Sequence, residues 1–341
     1  MRYRDAGVDV SRSDAIKGSL ARAVRSTWTA EVAPLAGGFA GVMRWPSPPG
    51  SGGLLAATLD GVGTKLLLAL QCGRVGDAAA DVVYHGANDL LVHGARPVAL
   101  LDYVAQSKLD PDVVLAVVEG LARACREVGA VLLGGETAEM PDTYLPGVVD
   151  VAGCMIGALA EGGLLDGRAV RPGDVVLGLG AAGLHTNGFS LARRVLGTSG
   201  LALGDPLPGA SGETLADALL APHRWYGASL LPLVGQGALS ALAHVTGGGI
   251  AGNLVRVLPE GCRARIEPNA WPLPALVRWL IQAGQVPLED ARSSLNLGIG
   301  MIAVVRPSAE RELTQNLTAH GERVWRIGTM MAGARGVEWT E

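Results

Sequence analysis

Aromatic residues are scarce in this chain: 4% of 341 residues, with only two phenylalanines. Leu, Val and Ala must therefore fill its cores. Charge is scarce too, at 18%, where about 25% is usual for soluble domains. Hydrophobic residues reach 49%, which excludes a disordered chain, since disorder goes with few apolar residues and high net charge. No run of Lys and Arg occurs, and the formal net charge is -4. A nucleic-acid partner is not expected, because such proteins present a basic face or stripe. A phosphorylated small molecule stays compatible with this charge, because backbone N–H groups bind phosphate without net positive charge. The cysteines, Cys72, Cys125, Cys154 and Cys262, contain no CxxC pair, so they suggest neither a zinc site nor a disulfide framework. Met1-Arg2-Tyr3-Arg4-Asp5 is polar and no apolar stretch follows it. No secretory signal is expected, and the expected location is cytoplasmic. The stretch from Trp225 to Val255 has no Asp, Glu, Lys or Arg. A membrane-spanning helix needs about 20 mostly apolar residues, and Pro232, Gly235, Gly237, His244 and Gly247 to Gly249 interrupt this one. It reads as buried helix, turn, strand and loop, and no membrane association is expected.

Glycine is in excess, at 49 residues. It is not periodic, which excludes a collagen-like chain. Its clusters fall where apolar runs end: Gly61 and Gly63, Gly134-Gly135, Gly178 to Gly183, and Gly247 to Gly249. Ligands of α/β folds bind at such strand ends. Apolar runs predict strands over 54–59, 98–104, 130–133, 151–159, 175–179 and 299–305, and longer periodic stretches predict helices over 14–26, 77–92, 112–128, 190–196, 274–283 and 309–319. Mixed strands and helices indicate an α/β (α+β) class. At about 150 residues per domain the length suggests two domains. The polar, turn-rich stretch from Asp166 to Asp174 sets the expected boundary, with domains 1–168 and 169–341.

Asp60-Gly61-Val62-Gly63-Thr64-Lys65 follows the first of these strands. Its glycines let the backbone approach an anion; Lys65 and Thr64 can bind phosphate and Asp60 a metal. The spacing is not that of a Walker A loop, and a tight turn followed by a solvated lysine is an equal reading. On the next helix Asp81, His85 and Asn88 or Asp89 share one face. Asp77 and Asp81 read as a solvated face. Asn88-Asp89 stands evenly between that and a ligand role, in which Asp89 and Asp60 serve Mg²⁺, an ion that takes one or two carboxylates plus substrate phosphates. Gly134-Gly135-Glu136-Thr137-Ala138-Glu139-Met140 suits phosphate or metal-bound water at a strand exit, or a helix start with Thr137 and Glu139 near its first turn. Gly178 to Gly183 spells GxGxxG, but it neither opens the fold nor leads to a second strand ending in an acidic residue about 20 positions on. Leu184-His185-Thr186-Asn187-Gly188-Phe189-Ser190 gathers several hydrogen-bonding groups and one side chain that titrates near neutrality. His244-Val245-Thr246-Gly247-Gly248-Gly249 reads as an anion nest or as a flexible loop beside a core histidine.

Taken together, in order and wording, these segments resemble the phosphoribosylformylglycinamidine cyclo-ligase family, the aminoimidazole ribonucleotide synthetases. The resemblance rests on Tyr3 to Asp9, Asp60 to Lys65, Asn88-Asp89-Leu90, Gly134 to Pro141, Gly183 to Leu191 and His244 to Gly249, and runs from about Tyr3 to the end. It implies an N-terminal α/β domain whose sheet joins its partner's in a homodimer, with a C-terminal α/β domain beside it. It also implies a reaction. ATP phosphorylates the formyl amide oxygen of formylglycinamidine ribonucleotide, a ring nitrogen attacks that carbon, and phosphate leaves. The product is aminoimidazole ribonucleotide, in purine synthesis. By position the resemblance assigns ATP to Asp60, Gly61, Gly63, Thr64, Lys65, Asn88, Asp89, Gly134 and Gly135, with Mg²⁺ on Asp60 and Asp89 and K⁺ as a further ion left open. It sets Glu136 between nucleotide and substrate. It gives substrate and phosphate to Thr186, Asn187, Gly188, Ser190, Thr246, Gly247, Gly248 and Gly249, and makes His185, His244 and Glu136 the catalytic candidates. The chain departs from the family wording at Leu59, where Thr is frequent, and at Asp142, where Gly is usual. Selenophosphate synthetases carry a reactive Cys near the N-terminus, whereas the first cysteine here is Cys72; thiamine-monophosphate kinases lack the GGETAEMP wording. A non-catalytic paralogue is opposed by the intact Asp60, Asp89 and Glu136.

Overall fold

A computed structural model of the chain describes residues 30, 32–33, 39–44 and 53–341. The expected helix over 14–26 and the Tyr3 to Asp9 segment lie outside the described residues. Five strands form one sheet: β1 (Gly41–Arg44), β2 (Gly53–Gly61), β3 (Arg96–Gln106), β4 (Val131–Glu139) and β5 (Val149–Ala160), in the order β1-β2-β5-β3-β4. Its neighbours are antiparallel except β3 and β4. Six strands form a second sheet: β6 (Val175–Gly180), β7 (Leu239–His244), β8 (Cys262–Ile266), β9 (Ile299–Val305), β10 (Val324–Ala332) and β11 (Gly336–Trp339), in the order β11-β8-β10-β6-β9-β7. The α/β class read from the sequence is the class observed. The strands expected from apolar runs are present, most of them longer than expected. β8, β10 and β11 are not legible in the sequence, because Arg, Gly, Thr and Glu interrupt their short apolar stretches. Among the described residues no helix is long and apolar enough to cross a membrane.

Three helices matter for the site: α1 (Lys65–Gln71), α2 (Val75–Val92) and α3 (Pro111–Val128). The start of α3 follows from its sequence. The Asp110 side chain accepts from the backbone N–H groups of Asp112 and Val113 at 3.0 and 3.3 Å, a cap that contributes about 1 kcal/mol. Pro111 fills the first helical position, where a missing N–H costs nothing. Gly129 closes the helix in the left-handed conformation, φ 76°. α3 lies so close to α2 that a side chain at Gly120 would run into the backbone of Gly76.

α2 is buried over nearly its whole length, including Asp81, His85, Asn88 and Asp89. It packs on β2, β3 and β5 of the first sheet and on β7 of the second. The polar stripe is therefore held between the two sheets, and the solvated-face reading of Asp81 is wrong: that carboxylate is 0% exposed.

The first sheet is covered by α2 on one face. β5 alternates accordingly, with Val149, Val151, Met155 and Leu159 buried and Cys154 and Ile156 half-buried on the other side. Leu59 and Leu101 both pair with Cys154 and so share that other side; they are 70% and 40% exposed. Leu100 pairs with Leu132 and Leu101 with Gly134, which leaves Leu133 as the extra residue of a bulge, 65% exposed. β4 does not end at Leu133 and no helix starts there: Gly134, Gly135 and Glu136 continue the edge strand as far as Glu139. Beyond it, Asp142 adopts φ 64°, a conformation glycine takes freely and other residues take at a cost.

Candidate active site

Four pieces of chain converge on the polar stripe of α2. They are the Asp60 to Lys65 turn, the turn after β6 that leads into α4 (Phe189–Ser199), the segment Ala221 to Tyr226, and the end of β7 at His244. A buried clamp holds them there. Lys65 donates from Nζ to Asp81 Oδ2, to Ala221 O at 2.8 Å and to His185 O at 3.4 Å. An ammonium has three hydrogens, so this lysine, expected on phosphate, has none left for one. Asp81 also accepts from the His223 backbone N–H at 2.9 Å. Asn88, expected on ATP, is committed to the same segment: Nδ2 donates to Arg224 O at 2.7 Å and Oδ1 accepts from Tyr226 N at 3.2 Å. Lys65 and Asn88 thus fasten the 221–226 segment to α1 and α2.

Asp60 and Asp89 behave differently. Asp60, at the end of β2, is 38% exposed, and its Oδ2 lies 3.3 Å from His85 Nε2. Asp89 Oδ2 lies 3.8 Å from the same nitrogen. The other ring nitrogen of His85 is 2.7 Å from Thr186 Oγ1. Asp89 Oδ1 meets His244 Nδ1 at 2.7 Å, and His244 Nε2 meets His223 Nε2 at 3.1 Å. The His185 ring stacks on His223 with centroids 3.9 Å apart. Burial pushes the Asp89 carboxyl up to about 7; His85 opposes the rise and Asp60 adds to it. Burial holds His244 down to about 3, and His185 and His223 well below the ordinary histidine range. At neutral pH these three imidazoles are uncharged. His185 also sits at φ 60°, a strained backbone for a non-glycine residue.

The two C-terminal turns meet the nucleotide-type turn. Ser190 Oγ is 3.3 Å from Thr64 Oγ1, and Asn187 Nδ2 donates to Thr186 Oγ1 at 3.3 Å. Gly188 caps α4 at φ 82°, and a side chain on Gly247 would come within 3.3 Å of Asn187 Oδ1. The anion-nest reading of Gly247 to Gly249 loses two of its donors: Gly248 N–H goes to Ser293 O and Gly249 N–H to Thr246 O, both at 3.1 Å. Asn253 ties the turn down, donating to Gly249 O at 2.8 Å and accepting from Thr246 Oγ1 at 3.1 Å.

Gly134, Gly135 and Glu136 are not part of this cluster within one chain. Asp60 pairs with Gly153, Gly153 with Asp102, and Asp102 with Gly135. Three strand spacings separate the two ends of that row, on the order of 14 Å. Glu136, expected between nucleotide and substrate, stands exposed on the edge strand instead. Conversely, His223 belongs to no motif and had no local signal. Only the clamp of Lys65, Asp81 and Asn88 brings it beside His185 and His244. β9 makes room for this cluster: a side chain on Gly300 would strike the Tyr226 hydroxyl and His185 Cε1. Gly300→Ala is expected to destabilise the protein by about 1–3 kcal/mol through this overpacking, read as a lowered urea midpoint.

The chain matches the family described as AIR synthase related protein, its N-terminal domain over residues 37–159 and its C-terminal domain over 171–340. It is 41% identical over 336 residues to a phosphoribosylformylglycinamidine cyclo-ligase from Burkholderia multivorans, covering 98% of this chain and 95% of that protein. The chain belongs to the phosphoribosylformylglycinamidine cyclo-ligase family. Solved structures share its fold at lower identity. The tt0281 protein of Thermus thermophilus superposes with a TM-score of 0.67 at 23% identity, over 95% of both chains. T. maritima PurL complexed with AMPPCP gives 0.57 at 17% identity, over 91% of this chain and 44% of that one. In this cyclo-ligase family member, Asp60, Asp89, Thr186 and His244 gather around His85 and His223, with His185 stacked beside them, and Lys65 and Asn88 are hydrogen-bonded to the segment that carries His223.

Proposed function

We propose that this chain converts formylglycinamidine ribonucleotide to aminoimidazole ribonucleotide with ATP, releasing ADP and phosphate, in purine biosynthesis. The carrying observation is the 41% identity along 98% of the chain to a protein named as that cyclo-ligase. ATP use is further supported by T. maritima PurL, a fold neighbour complexed with AMPPCP. An amide oxygen is a poor leaving group. Transfer of the γ-phosphoryl group to it gives an iminophosphate, from which phosphate departs as the substrate nitrogen bonds to the same carbon. Such transfer relies on positioning and on neutralising charge. The carboxylates fit a divalent cation: Asp60 and Asp89 both approach His85 Nε2, and burial with Asp60 alongside holds Asp89 reluctant to ionise until a positive charge arrives. Asp60 and Asp89 would hold Mg²⁺, which neutralises phosphate charge when bound. Thr64, Gly61 and Gly63 then border the nucleotide, and Thr186, Asn187, Ser190 and Thr246 the substrate. His185 and His244, held uncharged by burial, border the substrate side as neutral hydrogen-bonding groups.

The reading places the enzyme in the cytoplasm, with domains divided near residue 168, between β5 and β6. It also makes the protein a homodimer. Leu59, Leu101 and Leu133 leave an apolar sheet face exposed, and large exposed apolar patches mark association sites. Glu136, Gly134 and Gly135 lie on the edge strand beside that face, so they reach a nucleotide through the dimer rather than within one chain. Light scattering is expected to give roughly twice the 34.9 kDa chain mass; a stable monomer at micromolar concentration counts against this.

The reaction is tested with ATP, Mg²⁺ and formylglycinamidine ribonucleotide. ADP and the aminoimidazole product should appear in equal amounts; ADP without that product, or neither, overturns the reading. Exchanging K⁺ for Na⁺ in the same assay tests the monovalent ion.

A further inference from the structure

We propose that His223, His244 and His185 form a second cation site, built for a borderline transition-metal ion such as Zn²⁺ and separate from the carboxylate pair that serves Mg²⁺. One ring nitrogen from each of the three buried histidines lies within 4.8 Å of the other two. The hydrogen bonds behind each ring set which nitrogen is free. His244 Nδ1 is 2.7 Å from Asp89 Oδ1; with that carboxylate ionised, the state a bound cation favours, Nδ1 carries the hydrogen and Nε2 presents a lone pair. His223 Nδ1 lies 3.2 Å from the carbonyl of Arg224, which likewise puts its hydrogen on Nδ1. The opposing contact, from Asn88 Nδ2 to His223 Nδ1, is longer at 3.5 Å, and Nδ2 already has Arg224 O at 2.7 Å.

Two Nε2 lone pairs then face each other at 3.1 Å. In that state a cation between them relieves the repulsion, whereas a hydrogen on either Nε2 makes the contact an ordinary hydrogen bond. Metal-bound histidines donate their remaining N–H to a carboxylate or a backbone carbonyl, and these two do both. The spacing also fits. Two nitrogens at about 2.0–2.1 Å from a tetrahedral Zn²⁺ stand roughly 3.3 Å apart. His185 supplies the third group. Its ring is stacked on His223, its Nδ1 is buried with no hydrogen-bond partner, and its Nε2 has only the long 3.3 Å contact from Ala182 N. Rotation of that ring out of its stack on His223 would complete a three-histidine set, leaving a fourth position open. Nitrogen ligands suit Zn²⁺ and its neighbours and not Mg²⁺, which prefers oxygen. His223 also borders a cavity of about 340 Å³ lined by Tyr84, Glu127, Pro222 and Trp225, among others.

The test uses full-length protein stripped with a chelator and titrated with Zn²⁺ alone, and with Co²⁺ as a visible probe. Expected are one equivalent bound per chain at micromolar metal, a tetrahedral Co²⁺ absorption band, and at least a tenfold weaker affinity in His223→Asn, with far-ultraviolet circular dichroism unchanged. His85→Asn should bind Zn²⁺ as the wild type does. No stoichiometric binding overturns the proposal and leaves an ordinary hydrogen bond between His223 and His244. So does loss of binding in His85→Asn but not in His223→Asn, which assigns the ion to His85, Asp89 and His244 instead. Should His223→Asn fail to fold, X-ray absorption of Zn²⁺-loaded wild type decides: a shell of imidazole nitrogens supports the site, and a carboxylate-rich shell removes it.

Discussion

Lys65→Met is expected to destabilise the fold by about 3–5 kcal/mol, the usual loss when one partner of a buried ion pair is removed. Methionine matches the length of lysine but leaves the Asp81 carboxylate, 0% exposed, with the His223 backbone N–H as its remaining contact from the clamp. The substitution also releases the carbonyls of Ala221 and His185, to which Lys65 donates. Lys65→Met combined with Asp81→Asn is expected to recover a large part of the loss, because the amide can still accept from His223 N without a charge to bury. Urea unfolding of the single and double variants checks this. If Lys65 served phosphate, the single variant would keep its urea midpoint and raise KM for ATP; that result would remove the clamp from the account.

Asp89→Asn should act in the opposite sense, lowering Mg²⁺-dependent turnover by about 10²–10³-fold while the fold persists. The amide oxygen can still accept from His244 Nδ1, but the charge that would hold the cation is gone. Stability supplies a second readout with a definite sign. The folded carboxyl titrates at about 7 against an ordinary 3.8, so between those values the folded state binds more protons than the unfolded one. This group's contribution is present at low pH and is lost as pH rises through 7. Without divalent ion, Asp89→Asn lacks that loss, and its urea midpoint should gain on the wild type between pH 6 and pH 8. Wild-type binding of Mg²⁺-ATP by the variant would show that Asp89 holds no metal.

The sequence was a good guide wherever function is written in contiguous residues. Asp60 sits at a strand end, His185 and Thr186 in a turn, and Asp89 on the same helix face as His85; each was visible because strand ends, turns and the helical repeat are local. The long apolar strands β2, β3, β5, β6 and β9 were visible for the same reason. β8, β10 and β11 were not, since partners elsewhere in the sheet supply the burial that their mixed residues do not announce.

What the sequence determined by itself, then, was the class of the fold, the family and the short motifs, all properties of residue type and near spacing. The tertiary structure decided what those residues are free to do. Lys65 and Asp81 are 16 positions apart; Asp81 looked solvated and Lys65 stood open to phosphate or solvent, and burial of α2 between two sheets made them a charge pair. Glu136 follows two glycines as a ligand might, yet strand order sets it on the far edge from Asp60. His223 has no motif at all and is set beside His244 by hydrogen bonds, to its own backbone and to its neighbour Arg224, that span 136 to 142 residues of chain. Desolvation and long-range pairing assign these roles, and neither can be read from one residue's neighbours in sequence.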